Sequence, residues 1–554
     1  TSFATEVKSD DFFKPADFQK VIEVRDDTTV TPSPDPDGTV TEPDVKRYMV
    51  EGYTIKVDEG KNLVLKNLSM NNPVIQGKGN ITLSVDTGSL ISSDKNNHYG
   101  NSLLVTGKGN DAVITGKSIT ISNKQANKYN GDKNGIFMDY GSSRNLSMTA
   151  DDKVSVSGAY HGITSEQNTT GDISIKAGSM DIASKGWGIF MNGANKVDIA
   201  ARDGFILNGG SGISNNGSEA ITITSKEGNT EIKAESVSGV AAGTRKSNIY
   251  ITAKNNTVKG VGDGRTESYG NIPTAGIRSA AEIVKVTATE GNNNITTGNK
   301  MSGIVSYRKG NVTVEAAVNN TIKAGYDGAY TNAGTITVTA GTANAITADR
   351  DGLSATGDKN TINLQAVKSN TIKADRNAMY ATAGGGITVK SDEERSMMEG
   401  NVVAETGGTL SADYNTGDSY LMGTVTTDQG RTKNSSTTLN FKNGGHWLVT
   451  GDSNVSNVDF SGGIINMTQN GKGNAHQVSI DKALNGSGTF VMDLKYLGNS
   501  VDAYKNASDS DFVYIHGGDG SGQQLVFKPS GDNLGSMHTG DKLYFAEINN
   551  GAAK

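Results

Sequence analysis

The sequence predicts an all-β chain: a right-handed parallel β-helix (β-solenoid) with three short strands per coil and about 20 coils. Three recurrences carry that expectation. The first is a short strand that returns through residues 146–391 as LSMTA (146–150), ISIKA (173–177), VDIAA (197–201), ITITS (221–225), IYITA (249–253), VKVTA (284–288), VTVEA (312–316), ITVTA (336–340), INLQA (362–366) and ITVKS (387–391), with start-to-start spacings of 27, 24, 24, 28, 35, 28, 24, 26 and 25 residues. Each copy alternates aliphatic with polar, the period of a strand with one buried face. The second is a glycine followed by an apolar residue, at Gly135, Gly162, Gly188, Gly212, Gly239, Gly276, Gly303, Gly328 and Gly352. The third is an Asn-bearing turn between them, at Asn256, Asn320, Asn344 and Asn370. A repeat of about 25 residues buries its apolar face only by stacking on its neighbours. No helical period competes, and the spacing shows no two-residue hairpin turns, which leaves parallel strands in a right-handed coil.

Taken in order, residues 1–47 read as an acidic, Pro-rich N-terminal extension and a candidate cap. Five of the eight prolines lie there, four of them between Pro32 and Pro43. Acidic residues interleave with them, as in an extended solvated linker. The preceding DFFKPADFQKVIEV is apolar enough to cover an open first coil. Residues 48–442 read as the β-helix, with alternation from Met49 and loops at 93–101 and 123–134. The one irregular interval places extra residues at 260–274, a protruding loop. After Ser391 the strand signal thins and longer loops are expected. Regular alternation returns at TLNF (438–441), and residues 443–554 read as the C-terminal end of the helix with a cap.

Composition narrows the function. A formal net charge of −7 argues against a nucleic-acid partner, which wants a basic face. No run of 18 apolar residues exists, so no helical membrane span is expected. With 70 glycines, no cysteine and 34% hydrophobic residues, the chain suits a thin, one-dimensional core.

From Gly444 onward the chain resembles the C-terminal end of bacterial autotransporter passenger domains, the pertactin-like and diffuse-adherence-type adhesins. The resemblance rests on HWLVTGDSNVSNVDFSGGIINM (446–467), LNGSGTFVMDL (484–494), SDFVYIHGGDGSGQQLVF (510–527) and GDKLYFAEINNG (540–551). It implies export to the cell surface by a C-terminal outer-membrane β-barrel lying outside this sequence, and an autochaperone-like role for 443–554. The lack of cysteine then has a reason, since disulfides would lock a chain that threads unfolded through a pore. The family contains adhesins, self-association proteins, proteases and esterases, so fold alone does not choose among them.

The residues favour a non-enzymatic adhesin, with host or bacterial surface glycans or proteins, or a second copy in trans, as partners. The string Gly518-Asp519-Gly520-Ser521-Gly522 has the wrong order for a serine protease and reads as a Gly-rich turn. The six histidines are scattered with no i, i+4 pair, so neither metal nor cofactor is expected. The alternative function is a polysaccharide-binding or -degrading β-helix (lyase or glycosidase). Asp327 and Asp351 precede the turn glycine in successive copies and stack about 5 Å apart, a separation that retaining glycosidases use. The competing reading of the same residues, with Arg350 and Arg376 beside them, is a solvated Asp/Arg ladder that offsets its own charge. Two features are candidate ligand sites. An outward column after each turn glycine carries the aromatics Phe137, Phe190, Tyr330 and Tyr380, against the alternative that loops cover them or that they fill space along the sheet. The 260–274 loop carries Arg265, Glu267 and Tyr269, against the alternative of a tolerated insertion.

Overall fold

The computed structural model describes residues 5–14, 20–34, 53–68, 70–86, 100–125, 133–235, 238–243, 247–262, 274–280, 282–428, 434–468, 474–518, 520–529 and 533–548. The chain divides into two compact units, Thr1–Gly298 and Asn299–Lys554. Each is a parallel β-helix.

In the first unit every strand pairs in parallel with the equivalent strand one coil later, so residues about two dozen positions apart stand over one another. Ile114, Met148, Ile175, Ile199, Ile223, Ile251 and Val286 form one such column. Leu103, Ile136, Ile163, Ile189, Ile213, Val240 and Ile277 form a second, on the strand after the glycine turn. Both columns are buried throughout. β-Branched side chains suit this role because they fill a pleated, half-buried surface at little rotamer cost. Burial of each contributes about 1.5–3 kcal/mol. Long strands such as Leu146–Gly158 and Lys196–Gly209 are two pairing segments joined by a register shift, which turns the chain round a corner without ending the strand.

The second unit repeats the plan. Val314, Val338, Leu364, Val389, Ala412, Leu439, Val458 and Leu484 make its buried column. Here the asparagines of the third recurrence point inward and bond to one another. Asn320 Nδ2 donates to Asn344 Oδ1 at 2.9 Å and to the Thr339 carbonyl at 2.7 Å. Asn344 Nδ2 does the same to Asn370 Oδ1 at 2.9 Å and the Gln365 carbonyl at 2.8 Å. In the first unit Asn256 Nδ2 donates to Asn293 Oδ1 at 2.9 Å. Buried amides persist in the core because each is satisfied by the next.

The glycine beat is steric. The N–H of the residue after the glycine donates to the carbonyl of the next turn glycine, as Ile136 to Gly162 at 2.9 Å and Ala329 to Gly352 at 3.0 Å. A Cβ on Gly162 would stand 2.5 Å from the Gly188 oxygen and 2.6 Å from Ile182 Cγ2. Gly162→Ala should therefore push two coils apart, at a cost of about 1–3 kcal/mol. Urea unfolding and faster amide exchange at Ile136 and Ile163 would register it; unchanged exchange would show that the coil absorbs the methyl.

Two stretches differ from the sequence expectation. The ladder starts before Met49: Thr5–Lys8 pairs with Thr28–Thr31, and Val21–Val24 with Thr54–Val57. A short helix, Ser9–Phe12, connects the first coil, and the Pro-rich 35–47 lies outside the described residues. After Ser391 the expected long loops are strands instead, at Arg395–Glu405, Thr409–Tyr414, Tyr420–Gly423 and Val425–Thr427. No helix among the described residues is long and apolar enough to cross a membrane.

Candidate functional site

At several coils the residue at the position before the turn glycine sits at a corner, where its side chain accepts the N–H of the equivalent residue one coil on. In the first unit Asn101 Oδ1 accepts from Asn134 at 3.2 Å, Asn134 Oδ1 from His161 at 3.0 Å, and His161 Nδ1 from Trp187 at 3.0 Å. In the second, Ser302 Oγ accepts from Asp327 at 3.4 Å, Asp327 Oδ1 from Asp351 at 3.2 Å, and Asp351 Oδ1 from Asn377 at 3.2 Å. The acceptors differ in chemical type, and at Trp187 and Ala275 the same position donates its backbone N–H but carries no side-chain acceptor.

This placement bears directly on the two readings of the acid pair. Asp327 and Asp351 do stack, but their side chains are 1% and 0% exposed. Arg350 grips Asp327 with Nε at 2.8 Å and Nη2 at 2.6 Å, and Arg376 grips Asp351 with Nε at 2.9 Å and Nη2 at 2.6 Å. Both carboxylates are thus held in bidentate, charge-assisted pairs. Arg350 also lies 3.8 Å from the Tyr326 ring centre and bonds its hydroxyl. Burial pushes the Asp327 carboxyl above its ordinary range against the pull of Arg350, and the Asp351 carboxylate raises the Arg376 guanidinium. The arrangement is a ladder that offsets its own charge, but its carboxylates are buried rather than solvated as expected.

The aromatic column exists in both units. In the first, Phe137, Thr164, Phe190, Ser214, Ala241 and Arg278 share it. In the second, Val305, Tyr330, Ser354, Tyr380 and Val403 share it. Its exposure is not uniform. Phe137 is 3% exposed, so it is a covered residue rather than a surface aromatic. Phe190, Tyr330 and Tyr380 are half-buried. One ring of the second unit is fixed by its hydroxyl: Tyr380 donates to Glu405 Oε2 at 2.8 Å. Burial raises both phenols. Arg265, Glu267 and Tyr269 lie outside the described residues.

The structure adds residues that the column alone does not name. In the first unit Phe190 stacks on His161 with ring centres 4.9 Å apart and on Trp187 at 6.2 Å, and His161 meets Tyr160 at 4.0 Å. In the second, Tyr326 and Arg350 stand beside Tyr330. Tyr160, Tyr326 and Arg350 all lie two positions before a turn glycine, and that recurring slot was the available signal. Among the described residues no group of three or more His, Asp or Glu side chains is placed to hold a metal ion.

Two buried groups, one in each unit, respond oppositely to acid. Burial of His161 lowers its imidazole from 6.5 to about 4. Its stabilising effect on the first unit is present above about pH 6.5 and lost as pH falls through 4, worth on the order of 3 kcal/mol. Burial raises Asp511 from 3.8 to about 7, although its oxygens accept the N–H of His476 and of Asp493, each at 2.7 Å. Its contribution to the second unit is present below about pH 4 and lost as pH rises through 7. Each unit holds one of the two tryptophans, Trp187 and Trp447. Fluorescence-monitored urea unfolding, with the other tryptophan replaced by Phe, should show the Trp187 midpoint falling between pH 7 and 4.5, while protonation of Asp511 opposes loss of the Trp447 midpoint. His161→Gln and Asp511→Asn should flatten the respective responses.

The chain matches no protein-family model, no curated protein and no solved structure.

Proposed function

We propose that the chain is a non-enzymatic adhesin, displayed at a bacterial cell surface as the passenger of an autotransporter-like system. Attachment to a glycan or protein on another surface, or to a second copy in trans, is its activity. One observation carries this reading. The stacked carboxylates are buried and paired to arginines, whereas half-buried aromatic side chains face outward at the same place in the repeat in both units. Polysaccharide cleavage needs a carboxyl free to give or take a proton at substrate, and Asp327 and Asp351 offer none. Recognition needs rigid, amphipathic contact area, which Phe190, Trp187, Tyr330 and Tyr380 offer. The resemblance of residues 444–554 to passenger C-termini supports surface display through a β-barrel.

Cells displaying this chain should adhere to a surface or clump with one another, and Tyr380→Ala together with Trp187→Ala should weaken that behaviour. Dispersed, non-adherent cells would refute the reading. New reducing or unsaturated ends in polysaccharide incubated with the protein, lost in Asp327→Asn, would replace it with the degradative one.

A further inference from the structure

The apolar core of the second unit runs out in an open cavity. Its last strands are Gln524–Pro529, which pairs with Gln477–Leu494, and Ala546–Ile548, which pairs with Phe512–Ile515. Among the described residues neither has a strand on its far side. The register sets Leu525 over Phe490, Ala546 over Val513 and Ile548 over Ile515. The lower layer is buried, with Phe490 at 6%, Val513 at 2% and Ile515 at 4% exposure. The upper layer is not: Leu525 and Ala546 are half-buried, Ile548 is 47% exposed and its neighbour Phe545 39%. Together they enclose a cavity of about 300 Å³ with a buried apolar floor and an exposed apolar rim.

Two features keep this space open and free of charge. Residue 520, on its lining, is a glycine. A Cβ there would stand 2.9 Å from Ile548 Cδ1 and 3.5 Å from Ile515 Cδ1, so any side chain at 520 would take up part of the room between those two walls. Among the described residues that line the cavity none is charged. Of the two polar side chains, Gln523 is engaged at both amide atoms. It donates to the Gly486 carbonyl at 2.7 Å and accepts the Gly488 N–H at 2.8 Å. Gln524 accepts the Thr489 hydroxyl at 3.3 Å. An ion entering here would give up hydration with no opposite charge to meet it. A hydrocarbon gives up only its unfavourable contact with water.

We infer that this cavity binds an uncharged hydrocarbon group, supplied by a lipid acyl chain or by a free apolar molecule. Size sets the scale of the ligand. A dry cavity of about 150 Å³ lined by aliphatic and aromatic side chains takes benzene, so one twice that volume has room for two fused rings or a chain of about ten carbons. The inference does not rest on the adhesin reading.

Binding of the uncharged fluorophore N-phenyl-1-naphthylamine to the purified protein tests it, with straight-chain 1-alkanols as competitors. The expected result is a saturable rise in fluorescence that the alkanols reverse. Their affinity should grow about fourfold per methylene from butanol and level off near decanol, where the cavity is full. Gly520→Leu places a side chain in the space and should weaken fluorophore and decanol at least tenfold. Ala546→Phe fills it from the neighbouring strand, with the same expected loss. Val526→Ser removes a side chain that is 50% exposed but does not line the cavity, and should leave binding unchanged. Urea midpoints equal to the parent's show that a loss of binding is not a loss of folding. Alkanol binding together with flotation on phosphatidylcholine vesicles would make the source a lipid chain; alkanol binding without flotation would make it a free hydrocarbon. The absence of a saturable signal, an alkanol affinity that climbs evenly through dodecanol, or a folded Gly520→Leu that binds as the parent does would each overturn the site. So would a loss in Val526→Ser as large as that in Gly520→Leu, which would assign the signal to the exposed surface.

Discussion

Replacing Trp447 by Ala is expected to lower the stability of the second unit by about 3–5 kcal/mol, the cost of a large aromatic truncation in a core that cannot collapse. Trp447 is the largest of the fully buried side chains. Its ring lies parallel to Phe441 with centres 6.3 Å apart, and Phe441 lies parallel to Tyr414 at 5.0 Å. Its indole N–H donates to the Gly423 carbonyl at 3.0 Å. Truncation therefore opens a cavity, breaks an aromatic stack and strands a buried carbonyl. A β-helix holds strand layers at a fixed spacing, so the coils either side have little freedom to close the gap. Urea unfolding followed by far-UV circular dichroism measures the loss. Trp447→Phe, which keeps the stack and loses only the N–H and part of the volume, should cost distinctly less. A midpoint for Trp447→Ala within error of the parent would mean that the stack contributes nothing the neighbouring aliphatic columns cannot replace.

The core of that unit was legible in the sequence because its rule is a count. Ile336, Ile362 and Ile387 fall at the same phase of successive repeats, and the backbone pairs them directly. The turn glycines and the asparagine ladder were legible for the same reason. The stretch after Ser391 was misread because its strands present Met397, Glu399, Tyr420 and Met422 outward in place of threonine. The period-2 alternation disappears while the geometry persists. The corner acceptor was invisible for a different reason. Asn134, His161, Ser302 and Asp327 share a function, taking an N–H from the next coil, but no chemical type. A letter-based repeat does not register an equivalence of lone pairs. Phe137 shows the limit for the candidate site: column membership says which way a side chain points, not how much of it is covered.

Removing Arg350 should cost the second unit a further large term, about 3–5 kcal/mol, because it leaves Asp327 as an uncompensated buried carboxylate. The asymmetry of the pair makes the effect large. Asp327 is 1% exposed and Arg350 29%, so the arginine reaches in from the surface to neutralise a charge that water does not reach. Arg350→Ala also strips the contact with Tyr326 and leaves only the Asp351 N–H, at 3.2 Å, to hold the carboxylate. The sign of the pH response separates this account from simple loss of packing. Asp327 already sits above the usual carboxylate range through burial, and without its cation it rises further. A folded-state carboxyl raised above its unfolded value gains stability as pH falls. The deficit of Arg350→Ala should therefore shrink between pH 7 and pH 4, and the double variant Arg350→Ala/Asp327→Asn should recover much of it at pH 7 by removing the charge itself. A deficit that stays constant with pH, with no recovery in the double variant, would assign the loss to the Tyr326 contact and make the pair an ordinary surface ion pair worth under about 1 kcal/mol.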